Sequence, residues 1–164
     1  MPSFADGAPF ESLDEALCVF YLKGQTAGRL ILTHRALPEV VPVNHHVLGR
    51  STVLLGVPDG DVVAKAIRNA VVAFNADHVD AGTRGGWTVT VVGRIQKVDD
   101  AAERAEIAAR LPPPTWPTER HQHVLGVTIE QISGRRWGPT PLEPVSDVRS
   151  DRPAWRDQDM KNSW

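Results

Sequence analysis

Histidine is the residue type in this chain that is best suited to chemistry. The chain has six histidines, and two of them, His45 and His46, directly follow Asn44 in a segment rich in valine. In a groove, an imidazole can hydrogen-bond a bound molecule, donate a proton to a substrate or coordinate an iron. Successive strand residues point to opposite faces, so only one of the pair can face a groove. The alternative is a polar rim without a chemical role.

Metal chemistry is less well supported. His121 and His123 would lie on one face of a strand, as two metal ligands can. No carboxylate or cysteine shares their spacing, so we expect no metal site. Cys18 is the single cysteine, which excludes an intramolecular disulfide and a cysteine-based metal site and favours a role in helix packing.

Length and composition predict one domain with a substantial core. The chain has 164 residues, of which 41% are apolar and 23% are charged. The 18 basic and 20 acidic residues are spread along the chain, which argues against a nucleic-acid partner. No apolar run is long enough for a membrane span, and residues 1–10 lack the features of a signal peptide. The cytoplasm is therefore the expected location.

The pattern of apolar and turn residues predicts short strands with few helices. Ser12 and Glu15 have the spacing of a capping box, and the helix that they predict ends at Lys23-Gly24. A short helix is predicted over residues 62–69, and another runs from Asp99-Asp100 to Leu111 before three prolines. The predicted strands cover residues 28–33, 40–47, 52–57, 71–76, 87–98 and 123–133.

This order of elements favours an antiparallel, Greek-key β-barrel over an alternating parallel sheet. In the longest predicted strand, Trp87, Val89, Val91 and Gly93 share one face, and half of the strand should face a core. We expect a flexible N-terminus over residues 1–10 and the barrel over residues 11–138. Residues 139–164 are rich in Pro, Asp, Arg and Ser and predict an extended or disordered tail.

Five segments in this order resemble the successive signatures of the pyridoxamine 5'-phosphate oxidase-like flavin-binding family. The similarity is greatest to the short actinobacterial branch near the nitroimidazole-resistance-type proteins, and it covers residues 13–137. The segments are Gly24-Gln25-Thr26-Ala27-Gly28-Arg29-Leu30, Pro38-Glu39-Val40-Val41-Pro42-Val43-Asn44-His45, Ala73-Phe74-Asn75-Ala76-Asp77, Gly86-Trp87-Thr88-Val89 and Ile132-Ser133-Gly134-Arg135-Arg136.

The resemblance implies a split β-barrel homodimer with two FMN sites at the subunit interface and a small-molecule substrate. It places residues 41–46 beside the isoalloxazine ring, where an extended strand offers N–H and C=O groups at fixed spacing. Pro42 is compatible with an edge strand. Trp87 is expected to pack in the barrel, at the interface or against the cofactor. The implied cofactor-binding positions are Val41, Pro42, Val43, Asn44, His45, Leu55, Gly56, Lys65, Arg68 and Trp87.

The chain departs from the family where FMN phosphate is usually held. Close relatives carry an arginine, a threonine and a lysine there, whereas this chain has Leu54-Leu55-Gly56 and Gly60-Asp61-Val62-Val63. Each lost charge-assisted hydrogen bond costs about 1.5–3 kcal/mol, so a large loss of FMN affinity is expected. Lys65 and Arg68 on the following helix, or Arg29 and Arg94 from elsewhere, are the candidates to replace these contacts.

The resemblance therefore predicts an FMN-dependent oxidoreductase of unknown substrate, although no catalytic acid, base or nucleophile is identifiable. One alternative is a non-catalytic ligand-binding barrel with a degenerate phosphate site. Another is a barrel that holds a deazaflavin or a tetrapyrrole such as haem. Asn75 stands where many relatives carry glutamate, so no role of that glutamate transfers to this chain.

Overall fold

A computed structural model describes residues 10–57, 69–114 and 123–139. Most of these residues form strands, and two helices accompany them. In chain order the elements are β1 (Glu11–Leu13), α1 (Glu15–Lys23), β2 (Ala27–His34), β3 (Leu37–Leu48), β4 (Thr52–Val57), β5 (Val71–Asp80), β6 (Gly85–Lys97), α2 (Ala101–Arg110) and β7 (His123–Trp137).

The strands form one antiparallel sheet that closes on itself. Their order is β1-β7-β4-β3-β2-β5-β6, and β6 also pairs with β7. Six strands thus form a ring, and β1 is attached to the outside of that ring through β7. The antiparallel β-barrel predicted from the sequence is confirmed.

Ring closure depends on β7, which pairs with both β4 and β6. The register between β6 and β7 shifts between Val92 and Gly93, as at a β-bulge. A Cβ atom at position 93 would lie 1.6 Å from the backbone oxygen of Thr128. Only glycine allows the two backbones to approach this closely, so Gly93 permits the irregularity that closes the barrel.

The barrel interior is filled by alternate residues of the six ring strands together with one face of α1. Trp87, Val89 and Val91 are buried, which confirms the inward face predicted for β6. Complete burial of one such aliphatic side chain contributes about 1.5–3 kcal/mol. The largest aliphatic and aromatic side chains that are fully buried are Phe74, Leu22, Leu30, Leu55, Ile95 and Leu125.

The first helix begins differently from the prediction. Asp14, not Ser12, is its N-cap residue, and its carboxylate accepts a hydrogen bond from the backbone N–H of Leu17 at 2.8 Å. Ser12 lies in β1, where it pairs with Arg135 of β7. Pairing with a distant strand has displaced the local capping box, and the prediction for Ser12 is wrong. Gly24 ends the helix as expected.

The second half of the chain follows the prediction more closely. The carboxylate of Asp100 caps α2 by accepting a hydrogen bond from the N–H of Glu103 at 2.8 Å. Strand β7 extends to Trp137, beyond its predicted end at residue 133, because β6 and β1 pair with these last residues. The predicted helix over residues 62–69 lies outside the described residues, except for Asn69, which is a turn residue.

Helix α2 packs on the outside of the barrel. Leu111, at the end of this helix, contacts Leu54 of β4 and Val124 of β7 in a small second core. Neither of the two described helices is long and apolar enough to cross a membrane.

Candidate functional site

Strand β3 has two halves with different neighbours. Residues 44–48 pair with β4, whereas residues 37–44 pair with β2. Within the described part of the chain, residues 37–43 therefore have a strand on one side only. The opposite side of this segment, which we call the open edge, is a surface along which a ligand can bind.

The alternation of backbone hydrogen bonds along β3 determines which donors and acceptors lie at the open edge. The backbone N–H of His45 donates to Thr26 O at 3.1 Å, so the backbone groups of odd-numbered residues in this half of β3 point towards β2. Those of Pro38, Val40 and Pro42 point away from it. The open edge thus carries three carbonyl acceptors and a single N–H donor, that of Val40. Pro42 occupies a local edge position, as its missing N–H requires.

The side chains of this segment divide between the two faces of the sheet. Val41 and Val43 lie in the barrel core. Pro42 and Val40 face outward, and the side chain of Val40 is 57% exposed. The sequence predicted that Val41 and Val43 bind a cofactor, but their side chains face the core. Only their backbone groups remain for such a role, and these point towards β2.

Asn44 and His45 connect β3 by hydrogen bonds to the end of α1 and to the segment between α1 and β2. The side-chain N–H of Asn44 donates to Thr26 O at 3.0 Å, and the backbone N–H of His45 donates to the same oxygen. The Nε2 atom of His45 lies 2.8 Å from Leu22 O. Since a carbonyl oxygen only accepts hydrogen bonds, Nε2 carries the proton and Nδ1 is an acceptor. We call these three contacts the Asn44–His45 clamp.

The imidazole of His45 belongs to the core. It is 2% exposed, and its ring centroid lies 4.8 Å from that of Phe74. Burial lowers the pKa of His45 to about 4; the hydrogen bond to Leu22 raises the pKa, and His46 lowers it further. A neutral, enclosed ring whose Nε2 is engaged cannot reach an outer cofactor or an iron. His46 lies on the opposite face, in register with Leu54.

The positions expected to hold phosphate provide no cation or hydroxyl in β4. Leu55 is fully buried in the barrel core. Leu54 packs on the other face beneath α2, and Gly56 lies between Asn44 of β3 and Val124 of β7. The sequence assigned Leu55 to a cofactor, but its side chain is on the inner face and cannot contribute. Lys65 and Arg68 lie outside the described residues, as does the segment 60–63.

Two arginines of the outer surface were candidates to replace the missing cations. Arg29 is in register with Pro42, and its Nη1 donates a hydrogen bond to the carboxylate of Asp77. Arg94 lies farther away, on β6. Its guanidinium donates to Asn69 O at 3.1 Å and forms an ion pair with Glu130 at 3.3 Å. Of the two, only Arg29 borders the open edge.

Two rows of outward-facing residues cross the sheet beside the open edge. The first row is apolar and half-buried apart from Val40, which is exposed; it consists of Val40, Ile31, Ala73 and Val92. The second row lies two residues away from the first along each strand; it is mainly polar and consists of Pro42, Arg29, Asn75, Thr90 and Ser133. We call them the apolar row and the polar row. Sequence patterning alone did not single out Val40, Ile31 or Ala73, because the rows depend on the register between strands.

Asn75 is the most constrained side chain of the polar row. Its Nδ2 lies 3.0 Å from the hydroxyl of Thr88, 3.1 Å from that of Thr90 and 3.1 Å from Val89 O. All three contacts are to β6. They fix the amide, so that its oxygen points away from β6.

Trp87 and Cys18 both lie in the interior. Trp87 stacks on Tyr21 of α1, with ring centroids 4.9 Å apart, and its position supports packing within the barrel. Burial, with smaller effects of Asp14 and Glu15, raises the pKa of the Cys18 thiol to about 11. This thiol is therefore unreactive at neutral pH. Among the residues that the structure describes, no group of His, Cys, Asp and Glu can hold a metal ion; His121 lies outside them.

A closed antiparallel ring of six strands, with an open edge on β3, one helix packed against the main core and one on the outside, defines a split-barrel protein. The family model of pyridoxamine 5'-phosphate oxidase matches residues 14–136, and the chain belongs to this family.

The chain is also similar to other proteins in sequence and in structure. The uncharacterized protein Rv0080 of Mycobacterium tuberculosis is 33% identical over 114 residues, which are 66% of this chain and 73% of that protein. The FAD-binding protein from Mycobacterium smegmatis is 30% identical, with 77% of this chain and 97% of that chain covered and a TM-score of 0.59. An FAD-binding protein from Mesorhizobium loti supports the fold alone, at 20% identity, coverage of 80% and 99%, and a TM-score of 0.64.

The buried histidine generates a prediction about stability in acid. The pKa of His45 is about 4 in the folded chain against 6.5 for an ordinary histidine, so the unfolded state binds a proton first as pH falls. The stability that its neutral form contributes is complete above pH 6.5 and is lost as pH falls towards about 4. We expect the free energy of unfolding to fall by about 3 kcal/mol across this window.

Urea unfolding at a series of pH values measures this loss. His45→Leu removes the titrating group and should flatten the profile between the neutral range and pH 5. The control His34→Leu removes a histidine near the β2–β3 turn and should keep the slope of the unmodified chain. An equally steep profile in His45→Leu would show that another group is responsible.

Proposed function

We propose that this chain binds FMN along the open edge of β3 and acts as an oxidoreductase on a small-molecule substrate. One observation carries the proposal. In a chain of this family, the segment 37–43 presents three backbone carbonyls and the N–H of Val40 on a side where no described strand pairs with it. Backbone groups held at strand spacing form a rigid pattern of donors and acceptors.

The polar edge of an isoalloxazine ring can form two hydrogen bonds with this pattern. It carries two carbonyl oxygens and ring nitrogens that accept hydrogen bonds, together with one N–H that donates. The N–H of Val40 can donate to one flavin acceptor, and one of the carbonyls of Pro38, Val40 and Pro42 can accept from the single flavin N–H. The donor and one acceptor of the open edge therefore suit the polar edge of a flavin.

The apolar row supports the same assignment. Val40, at one end of this row, borders the open edge, and its exposed side chain is apolar. An aromatic ring bound along the open edge loses contact with water where it covers this side chain, at about 25 cal/mol per Å² of buried apolar surface. The M. smegmatis protein named above binds FAD, which contains the same ring.

In this proposal the flavin and the protein residues have different roles. A bound flavin supplies the redox chemistry, while the protein positions the ring, excludes water and selects the substrate. Pro42 and Val40 orient the ring, and the side chain of Val40 shields part of it. The enclosed ring of His45 is unable to serve as an iron ligand, so His46 on the opposite face is the histidine of this pair that the haem alternative would require.

Replacing the single donor of the open edge tests the ring site. Val40→Pro removes one N–H at a position equivalent to those of two natural prolines, and it should weaken flavin binding about tenfold through one lost hydrogen bond. Val40→Ala keeps the N–H and is the matched control. Quenching of flavin fluorescence on titration with the apoprotein measures both affinities.

Three results would contradict the proposal. Unmodified protein that neither quenches FMN fluorescence nor retains a yellow colour on purification would exclude a flavin. A chain that binds a deazaflavin or haem, and no flavin, would require one of the alternative cofactors. Equal affinities for Val40→Pro and Val40→Ala would show that the ring does not bind at the open edge.

The proposed function includes a homodimer whose two sites lie at the subunit interface. The apolar row leaves a hydrophobic strip on the surface of one chain, and a second copy of the chain is the partner that would cover it. Because the row crosses four adjacent strands, it provides a broad contact rather than a single anchoring side chain.

Sedimentation equilibrium tests the dimer with two variants of β2. Ile31→Lys places a charge in the apolar row and should convert the dimer to a monomer. Thr33→Lys places the same charge at the next outward, exposed position of the strand and should leave the dimer intact. A monomeric unmodified protein, or a dimer that survives Ile31→Lys, would reject this interface.

A further inference from the structure

The phosphate of the proposed flavin lacks its usual partners in β4, and the strands around β3 show what remains. Seven residues of β2 and β4 lie in register with residues 41–46. One of them, Arg29, is charged, and the others are alanine, glycine and leucine. They are Ala27, Gly28, Arg29, Leu30, Leu54, Leu55 and Gly56.

The register between β2 and β3 places Arg29 on the outer face of the sheet, opposite Pro42. Since Thr26 and His45 form a hydrogen-bonded pair, Arg29 and Pro42 form a pair without backbone hydrogen bonds. Side chains approach most closely at such pairs. Both side chains point outward, so the side chain of Arg29 lies on the outer face beside Pro42, which borders the open edge.

The guanidinium of Arg29 has N–H groups in addition to the one that contacts Asp77. It has five N–H donors, and its Nη1 donates to Asp77. The Arg29 side chain is 51% exposed and that of Asp77 is 32% exposed. An exposed ion pair of this kind is weak and easily exchanged, because water and salt screen it. Asp77 thus orients Arg29 from the β5 side and leaves the other guanidinium N–H groups for a second anion.

We infer that, among the residues that the structure describes, Arg29 is the cation that binds the phosphate of the flavin, with Asp77 as its positioning partner. The inference rests on the proposed function and adds to it the residue that replaces the missing cluster. It also implies a moderate affinity, since one arginine beside a carboxylate replaces an arginine, a lysine and a threonine. Arg94 is the weaker candidate, because Glu130 and Asn69 hold it away from β3.

Comparing FMN with riboflavin isolates the phosphate, because the two ligands share the same ring. We expect the unmodified chain to bind FMN at least tenfold more tightly than riboflavin, the factor that corresponds to one charge-assisted hydrogen bond. Arg29→Gln should reduce this ratio to about one and leave riboflavin affinity unchanged. Asp77→Asn should increase the ratio severalfold by removing the nearby negative charge.

The control is Arg94→Gln, which removes an outward-facing arginine of the same sheet and should leave the ratio unchanged. A purely structural role of Arg29 would lower both affinities together and keep their ratio. An unchanged ratio in Arg29→Gln, or equal affinities in the unmodified chain, would overturn the inference and leave the proposed function standing. Failure of the unmodified chain to bind either ligand would overturn both.

Discussion

The alternation of side chains along β3 is the constraint on which the rest of the structure depends. Each residue of a strand faces opposite to its neighbours, so a strand that builds the core with one face must present the other to its surroundings. In β3, Val41, Val43 and His45 face inward. Val40 and Pro42 face outward beside the open edge. One segment therefore stabilises the barrel and forms its candidate binding surface.

The Asn44–His45 clamp holds this segment in place. Its three hydrogen bonds join β3 to the end of α1 and the start of β2. Because Asn44 is fully buried and His45 nearly so, breaking these bonds would leave polar atoms unsatisfied in the core, at about 1–3 kcal/mol for each atom. The Arg29–Asp77 pair, by contrast, is exposed and contributes little to stability. The fold can therefore depend on the clamp, while the ion pair remains available for a ligand.

Local patterns allowed much of the fold to be predicted. Strand β4 has the predicted limits, and Trp87, Val89 and Val91 face inward as expected. The errors arise where distant segments pair. Ser12 joins β1 instead of capping α1, and β7 continues to Trp137, because both are paired with strands far away in the sequence.

The candidate site was predicted less completely, for a similar reason. Alternation shows that His45 and His46 face opposite sides, but it does not show which of them faces the core. Likewise, the family pattern located Leu55 without indicating that it points inward. The proximity of Arg29 to Pro42 depends on the register between β2 and β3, which no local signal specifies.

The central claim is that the outer face beside the open edge of β3 is the binding surface, and a two-dimensional ¹H–¹⁵N NMR titration with FMN tests it most directly. We predict the largest shifts at the backbone amides of Val40, Arg29 and Asn75, and small shifts around Leu111 of the second core. Shifts concentrated around Leu54 and Leu111, or an unchanged spectrum, would contradict the account.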